Sequence, residues 1–174
     1  MKYKFNPFSK NIIFLDTEFS SLNPYEGELL SIGLVKLDGK ELYLEIEHDG
    51  PVSPWVKKNI TPTLKQKKIS RKKAVGKIRK FVGKKLPYIV AYINQYDVIY
   101  TYKLFGEEEK PFFWLPIDFG SILFGCGINP EAYDYENKDF LFKEIGIDTE
   151  KYKHTHNALD DARLLREVYL RMER

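Results

Sequence analysis

Asp16 and Glu18 stand one residue apart at the end of the apolar run Ile12 to Leu15. Side chains alternate along a strand, so Ile12, Phe14, Asp16 and Glu18 share one face while Ile13, Leu15 and Thr17 share the other. Both faces are apolar before residue 16, the mark of a central strand, and the C-terminal ends of such strands are where open α/β sheets bind ligands. Two carboxylates side by side repel each other and resist desolvation unless a cation neutralises them. A hard divalent ion such as Mg²⁺ or Mn²⁺ meets that need. Solvated acids also end many strands, so the pair alone decides little.

The closing segment HNALDDARLLREVYLRM carries a second, independent signal. At ~100° per residue from Ala158, the apolar residues Ala162, Leu165, Val168, Tyr169 and Met172 fall between about −80° and +40°. Asp161 falls near −60°, inside that stripe, and Asp160 near 200°, beside Arg163, Glu167 and Arg171. One of two neighbouring aspartates is therefore expected to point inward among Leu and Val, where a carboxylate needs a cation, an ion pair or a hydrogen bond. His156 precedes this helix, next to Asn157 as its cap. Titration near neutrality makes a histidine there a candidate general base. Asp97, three residues after Asn94 in NQYD, reads either as part of a capping box at a helix start or as a further acid aimed at the same cleft.

These residues must be held by a framework, and the pattern of apolar residues outlines one. Ile12 to Glu18, Leu29 to Leu37 and Glu41 to Glu47 read as strands, the last two joined by the turn LDGK, which makes an antiparallel meander. SPWVKKNI reads as a short basic helical piece. Ser70 is placed to cap a helix running to about Gly83, with Ala74, Val75, Ile78, Phe81 and Val82 inward. YIVAYI, residues 88 to 93, is a buried strand, followed by the helix QYDVIYTYKLF closed at Gly106. IDFGSILF reads as a short strand entering a helix capped by Asp118, and Lys138 to Ile145 as one more helix stopped by Gly146. The order β-β-β-α-β-α-β-α-α predicts an α/β fold: a mixed five-stranded sheet, antiparallel meander plus parallel strands, flanked by helices.

Composition narrows the class. The chain has 174 residues, 43% of them hydrophobic, enough for one globular domain with a substantial core. The single cysteine, Cys126, excludes an internal disulfide and suits a reducing compartment such as the cytoplasm. No apolar run approaches the ~20 residues that cross a bilayer, so no membrane association is expected. The net charge of +3 conceals an asymmetry: residues 50 to 96 contain no Asp or Glu, and thirteen Lys and Arg lie between Lys57 and Lys85. Such a run is often only a solvated helix face, but uncompensated like charges repel, and a polyanion such as nucleic acid relieves them.

Taken together, DTE near the start, NQYD in the middle and HNALDD near the end resemble the three motifs of the DEDDh family of 3′–5′ exonucleases, which have the ribonuclease-H-like fold. His156 and Asp161 show that family's His-x4-Asp spacing, and the second aspartate is the one the helical wheel turns inward. The stretches DTEFSSLNPYEGELLSIGLVKLDGKELY, SPWVKKNITPTL and AYINQYDVIYTYKLFG are similar to a bacterial and phage branch of 3′–5′ exoribonucleases. The resemblance implies a single DEDDh domain over residues 1–174 that takes nucleic acid with a free 3′ end and releases nucleoside 5′-monophosphates. It implies two Mg²⁺ or Mn²⁺ ions, Asp16 bridging both, Glu18 and Asp161 completing the coordination of the first ion, Asp97 holding the second ion directly or through water, and His156 deprotonating the attacking water. Two-metal sites of this kind stabilise the attacking and leaving oxygens together. Many members follow Asp-x-Glu with Thr-Thr or Thr-Gly; here Phe19 and Ser20 follow, and they are candidate substrate contacts with Lys72, Lys73 and Lys77. Phe19 is equally at home in the core. RNA is the expected substrate, with DNA as the alternative, and a non-catalytic nucleic-acid-binding protein on the same fold is the reading from a different class. A homodimer is among the assemblies left open.

Overall fold

β1 (Ile12–Phe19) runs through the middle of the molecule because both of its faces are apolar. In the computed structural model, described here for residues 4–133, 138–148, 150–151 and 155–173, it is flanked by β2 (Leu29–Lys36) and β4 (Tyr88–Ala91). With β3 (Glu41–Glu45) and β5 (Ile117–Asp118) the sheet has five strands in the order β3-β2-β1-β4-β5. The β1–β2 and β2–β3 pairs are antiparallel, and β1–β4 and β4–β5 are parallel. This is the mixed sheet flanked by helices that the pattern predicts, an RNase-H-like α/β fold.

The strict alternation of β1 splits the apolar residues into two cores. Ile12 and Phe14 pack with Val35 and Val90 beneath α4 (Phe119–Gly125), α5 (Lys138–Ile145) and α6 (Ala158–Met172). Ile13 and Leu15 pack on the other side with Ile32 and Leu34, beneath α2 (Arg71–Val82) and α3 (Gln95–Phe105). Each such side chain contributes roughly 1.5–3 kcal/mol by leaving water. A register slip of one residue would exchange the two sets, so the pairing is firmly specified. A short basic helix, α1 (Pro54–Asn59), and a 3₁₀ turn at Thr61–Thr63 cover the end of the sheet where Glu18 lies.

Several boundaries differ from the sequence reading. β3 stops at Glu45, where the chain turns to a single bridge between Ile46 and Ile69, and β4 stops at Ala91 because residues 92–94 form a turn into α3. Ser70 has the backbone geometry of a cap but its hydroxyl makes no capping bond to α2. Asp118 and Asn157 do cap, each accepting two backbone amides of the following turn. Among the described residues no helix is long and apolar enough to cross a membrane.

α6 is seated by a glycine. Gly33 lies opposite Asp16 in the β1–β2 ladder, and a Cβ at that position would come within 2.2 Å of the Ala158 carbonyl oxygen and 2.6 Å of the Leu159 Cα. Only the missing side chain lets the start of α6 rest on the strand pair beside Asp16.

Candidate active site

Asp16, Glu18, Asp97, His156 and Asp161, which the chain spreads over 146 positions, line one cleft of about 530 Å³. That volume suits a single small ligand or a terminal nucleotide better than a duplex. Asp16 and Glu18 project from the same face of β1, and Asp161 reaches them from the first turn of α6. One carboxylate oxygen from each of the three lies within 4.8 Å of the others. Glu18 and Asp161 are each only 9% exposed.

Three acids so close cannot all stay ionised in a poorly hydrated site. Burial, then the charges of Asp97, Asp161 and Glu18, hold Asp16 well above the ordinary carboxylate range. Burial, then Asp161 and Asp97, does the same to Glu18. A divalent cation among them would reverse this, since it favours the charged forms that the bare cluster disfavours. Three converging hard oxygen donors suit a hard divalent cation by type and number, the remaining positions being open to water or substrate.

Asp97 is held differently. β1 pairs with β4 only as far as Phe14, so the Thr17 amide beyond that point needs another acceptor. Asp97 Oδ1 supplies it, accepting from the Thr17 amide at 2.8 Å and the Thr17 hydroxyl at 2.7 Å. The capping-box alternative fails, because the Asn94 amide donates instead to Asp118 Oδ1 at 3.3 Å. Asp97 is 6% exposed, and burial pushes its pKa up to about 7 against the pull of the two Thr17 bonds. It stands outside the group of three mutually close carboxylates.

The two neighbouring aspartates divide as the helical wheel predicts. Asp161 is buried, with its Oδ1 3.4 Å from the Thr155 amide. Asp160 faces outward and pairs with Arg163 at 2.7 Å, and Arg163 in turn binds Glu41 at 2.6 Å. His156 lies just ahead of the Asn157 cap with φ +51, its ring meeting the Trp55 indole edge-on at 5.2 Å. Burial lowers its pKa below the ordinary imidazole value.

The residues expected at the substrate are more scattered. Phe19 lines the cleft, but its ring is stacked on Tyr100 at 4.4 Å and on Tyr96 at 5.4 Å, so it serves as wall and core together. Ser20 is fully buried, its hydroxyl accepting the Glu28 amide at 2.9 Å, and so faces the protein and not the cleft. Lys72, Lys73 and Lys77 lie on the exposed side of α2, whose inner side packs on the sheet, and none of them borders the cleft. Sequence reasoning missed Trp55 and Leu22, which line the cleft while 56% and 67% exposed. An apolar residue in a solvent-facing position was the signal that could have marked each of them.

The exonuclease family model RNase_T matches residues 13–169, a span that includes every acid of the cluster and His156. No curated protein matches the chain. With the five-stranded mixed sheet and the acidic cluster at the end of its central strand, this match places the chain in that exonuclease family, the DEDDh-type 3′–5′ exonucleases of the RNase-H-like superfamily.

Proposed function

We propose that this protein is a metal-dependent 3′–5′ exoribonuclease, one DEDDh domain over residues 1–174, that removes 3′-terminal nucleotides as nucleoside 5′-monophosphates. The observation that carries the reading is one nucleotide-sized cleft lined by the three clustered carboxylates, Asp97 and His156. Asp16, Glu18 and Asp161 would hold Mg²⁺ or Mn²⁺ directly, and Asp97, with one oxygen engaged by Thr17, would act through its other oxygen or through water. The bound ions would stabilise the charge that develops on the attacking and leaving oxygens of the phosphodiester.

The chain's own groups do the rest. His156, whose pKa burial lowers toward the neutral form, would accept the proton of the attacking water. Trp55 presents an exposed indole beside it, and aromatic faces stack on nucleobases with little regard to their identity. Leu22, on the loop after β1, lines the same cleft and would add apolar contact to the base. That loop is fixed from behind: the Tyr100 hydroxyl donates to the Ser21 carbonyl, and Lys103 Nζ donates to the Pro24 carbonyl at 2.6 Å. Lys57 and Lys58 stand on α1, the helix that carries Trp55, where they would meet the backbone of the strand entering the site.

RNA is preferred over DNA on the likeness of DTEFSSLNP, SPWVKKNITPTL and AYINQYDVIYTYKLFG to exoribonucleases. Digestion of RNA and DNA oligomers of one sequence, side by side in Mn²⁺, tests this. At least tenfold faster loss of RNA is expected; equal rates or faster loss of DNA would assign the chain to the DNA exonucleases.

A further inference from the structure

The 3₁₀ turn Thr61–Thr63 and the loop behind it are tied down at two points, one at His156 and one at the end of β3. At one, the Thr63 hydroxyl lies 2.8 Å from the His156 carbonyl oxygen, across 93 positions of chain, and 2.9 Å from the Ile60 carbonyl. At the other, the Glu45 carboxylate, 2% exposed, accepts the amides of Lys65 at 2.8 Å and Gln66 at 2.9 Å, and the Tyr43 hydroxyl at 3.1 Å, all on Oε1. A carboxylate is not buried without cause. This one fixes the backbone of a loop that otherwise contains only neutral and basic residues.

The conformation of His156 explains what the first contact is for. A φ of +51 puts it in the left-handed region, which residues with a Cβ seldom occupy, although histidine enters it more readily than most. α6 does not need the contact: Asn157 Oδ1 accepts the Leu159 and Asp160 amides, and the Asn157 carbonyl accepts the Asp161 amide at 3.0 Å. The Thr63 hydroxyl, its one proton shared between the Ile60 and His156 carbonyls, tethers the peptide plane that follows His156, while Trp55, from the same segment, meets the ring edge-on. Backbone and ring of the histidine are thus gripped by one stretch of chain, residues 55 to 63.

We infer that Thr63 is a positioning residue for His156, and that Glu45 anchors the turn that presents its hydroxyl. The inference rests on His156 being the general base of the proposed reaction. Misplacing a catalytic group by as little as 1 Å can cost as much as ~10²-fold, so losing one of the two grips should cost about tenfold in rate.

Single-turnover cleavage of a 5′-labelled oligonucleotide in Mn²⁺ tests it, with Thr63→Val to remove the hydroxyl at constant shape, Thr63→Ser to restore it, and His156→Ala as reference. Thr63 is half-buried, so each variant should fold. The rate should fall about tenfold in Thr63→Val, with half-saturating substrate and Mn²⁺ concentrations within about twofold of the parent, and recover in Thr63→Ser. Glu45→Ala should lower the rate in the same direction, and combining it with Thr63→Val should add little, because both act on one turn. A merely structural threonine would lower the melting temperature and leave the rate at 25 °C unchanged. An inactive His156→Ala beside a fully active Thr63→Val, or a Thr63→Ser that fails to recover, overturns the positioning role alone. A fully active His156→Ala overturns the general-base reading, and the positioning role with it.

Discussion

Replacing Asp161 by Asn should make the metal-free protein more stable and the enzyme far worse. Its carboxylate stands within 4.8 Å of those of Asp16 and Glu18, and its charge raises the pKa of both. At an effective dielectric constant of 20, two unit charges 4.8 Å apart repel by about 3.5 kcal/mol, and the cluster relieves much of this repulsion by retaining protons. A net gain on the order of 1–2 kcal/mol is therefore expected on neutralising Asp161, or roughly 2–8 °C in melting temperature for a chain of this size. Asn keeps the carbonyl oxygen that faces the Thr155 amide, so shape is preserved. Turnover should nonetheless fall by on the order of 10²-fold or more, since the charge that holds the cation is gone. Asp160→Asn is the matched control: it breaks an ion pair whose side chains are 44% and 41% exposed, worth at most about 1 kcal/mol, and Arg163 keeps Glu41. Its melting temperature should drop by no more than roughly 4 °C, with turnover intact. Thermal melts in EDTA and in Mn²⁺, alongside single-turnover rates, read all of these quantities. If Asp161→Asn melts lower than the parent in EDTA, or if Asp160→Asn is the inactive variant, the placement of the acid cluster is wrong.

Three further outcomes are expected. In EDTA the protein should lose stability as pH rises from about 4 to about 7: the folded state binds protons more tightly at Asp97, raised from 3.8 to about 7, and at Asp16 and Glu18, so the benefit is complete below the unfolded value and gone above the folded one. Excess Mn²⁺ should abolish or reverse that trend, which melting curves across pH will show; a pH dependence indifferent to Mn²⁺ would count against a metal site. Gly33→Ala should cost about 1–3 kcal/mol by overpacking against the Ala158 backbone and should lower turnover by displacing Asp161 and His156, both measurable by denaturant melts and rate assays. Neutralising Lys57 and Lys58 should flatten the salt dependence of single-strand binding by roughly 1.4 units in log–log slope, and the same experiment on Lys72, Lys73 and Lys77 shows whether the backbone track continues onto α2.

The parts of this molecule that were legible in the sequence are those governed by local periodicity. The two-residue alternation of Ile12 to Glu18 set both cores and the side of the sheet that carries Asp16 and Glu18. The 3.6-residue period of the last helix separates the buried Asp161 from the outward Asp160. What escaped was contact between distant positions. Nothing near Asp97 in the chain tells that it replaces a missing ladder partner of Thr17, 80 residues away. Glu45 reads as a polar residue at a strand end, and only the fold of residues 61 to 66 over it makes it a buried anchor. Ser20 follows the Asp-x-Glu motif and so invites a role at the substrate, yet the bulge between Glu18 and Phe19 turns it into the protein. Local chemistry nominated the residues, and topology decided which of them meet.

On the proposed function, a divalent cation held by Asp16, Glu18 and Asp161 drives removal of nucleotides from the 3′ end. A 5′-labelled RNA oligomer, incubated with the protein in Mn²⁺ and resolved at single-nucleotide steps over time, tests it most directly. A ladder that shortens one nucleotide at a time from the 3′ end, releases 5′-monophosphates and stops when EDTA is added is the predicted result. Internal fragments, or a ladder that persists in EDTA, would contradict it.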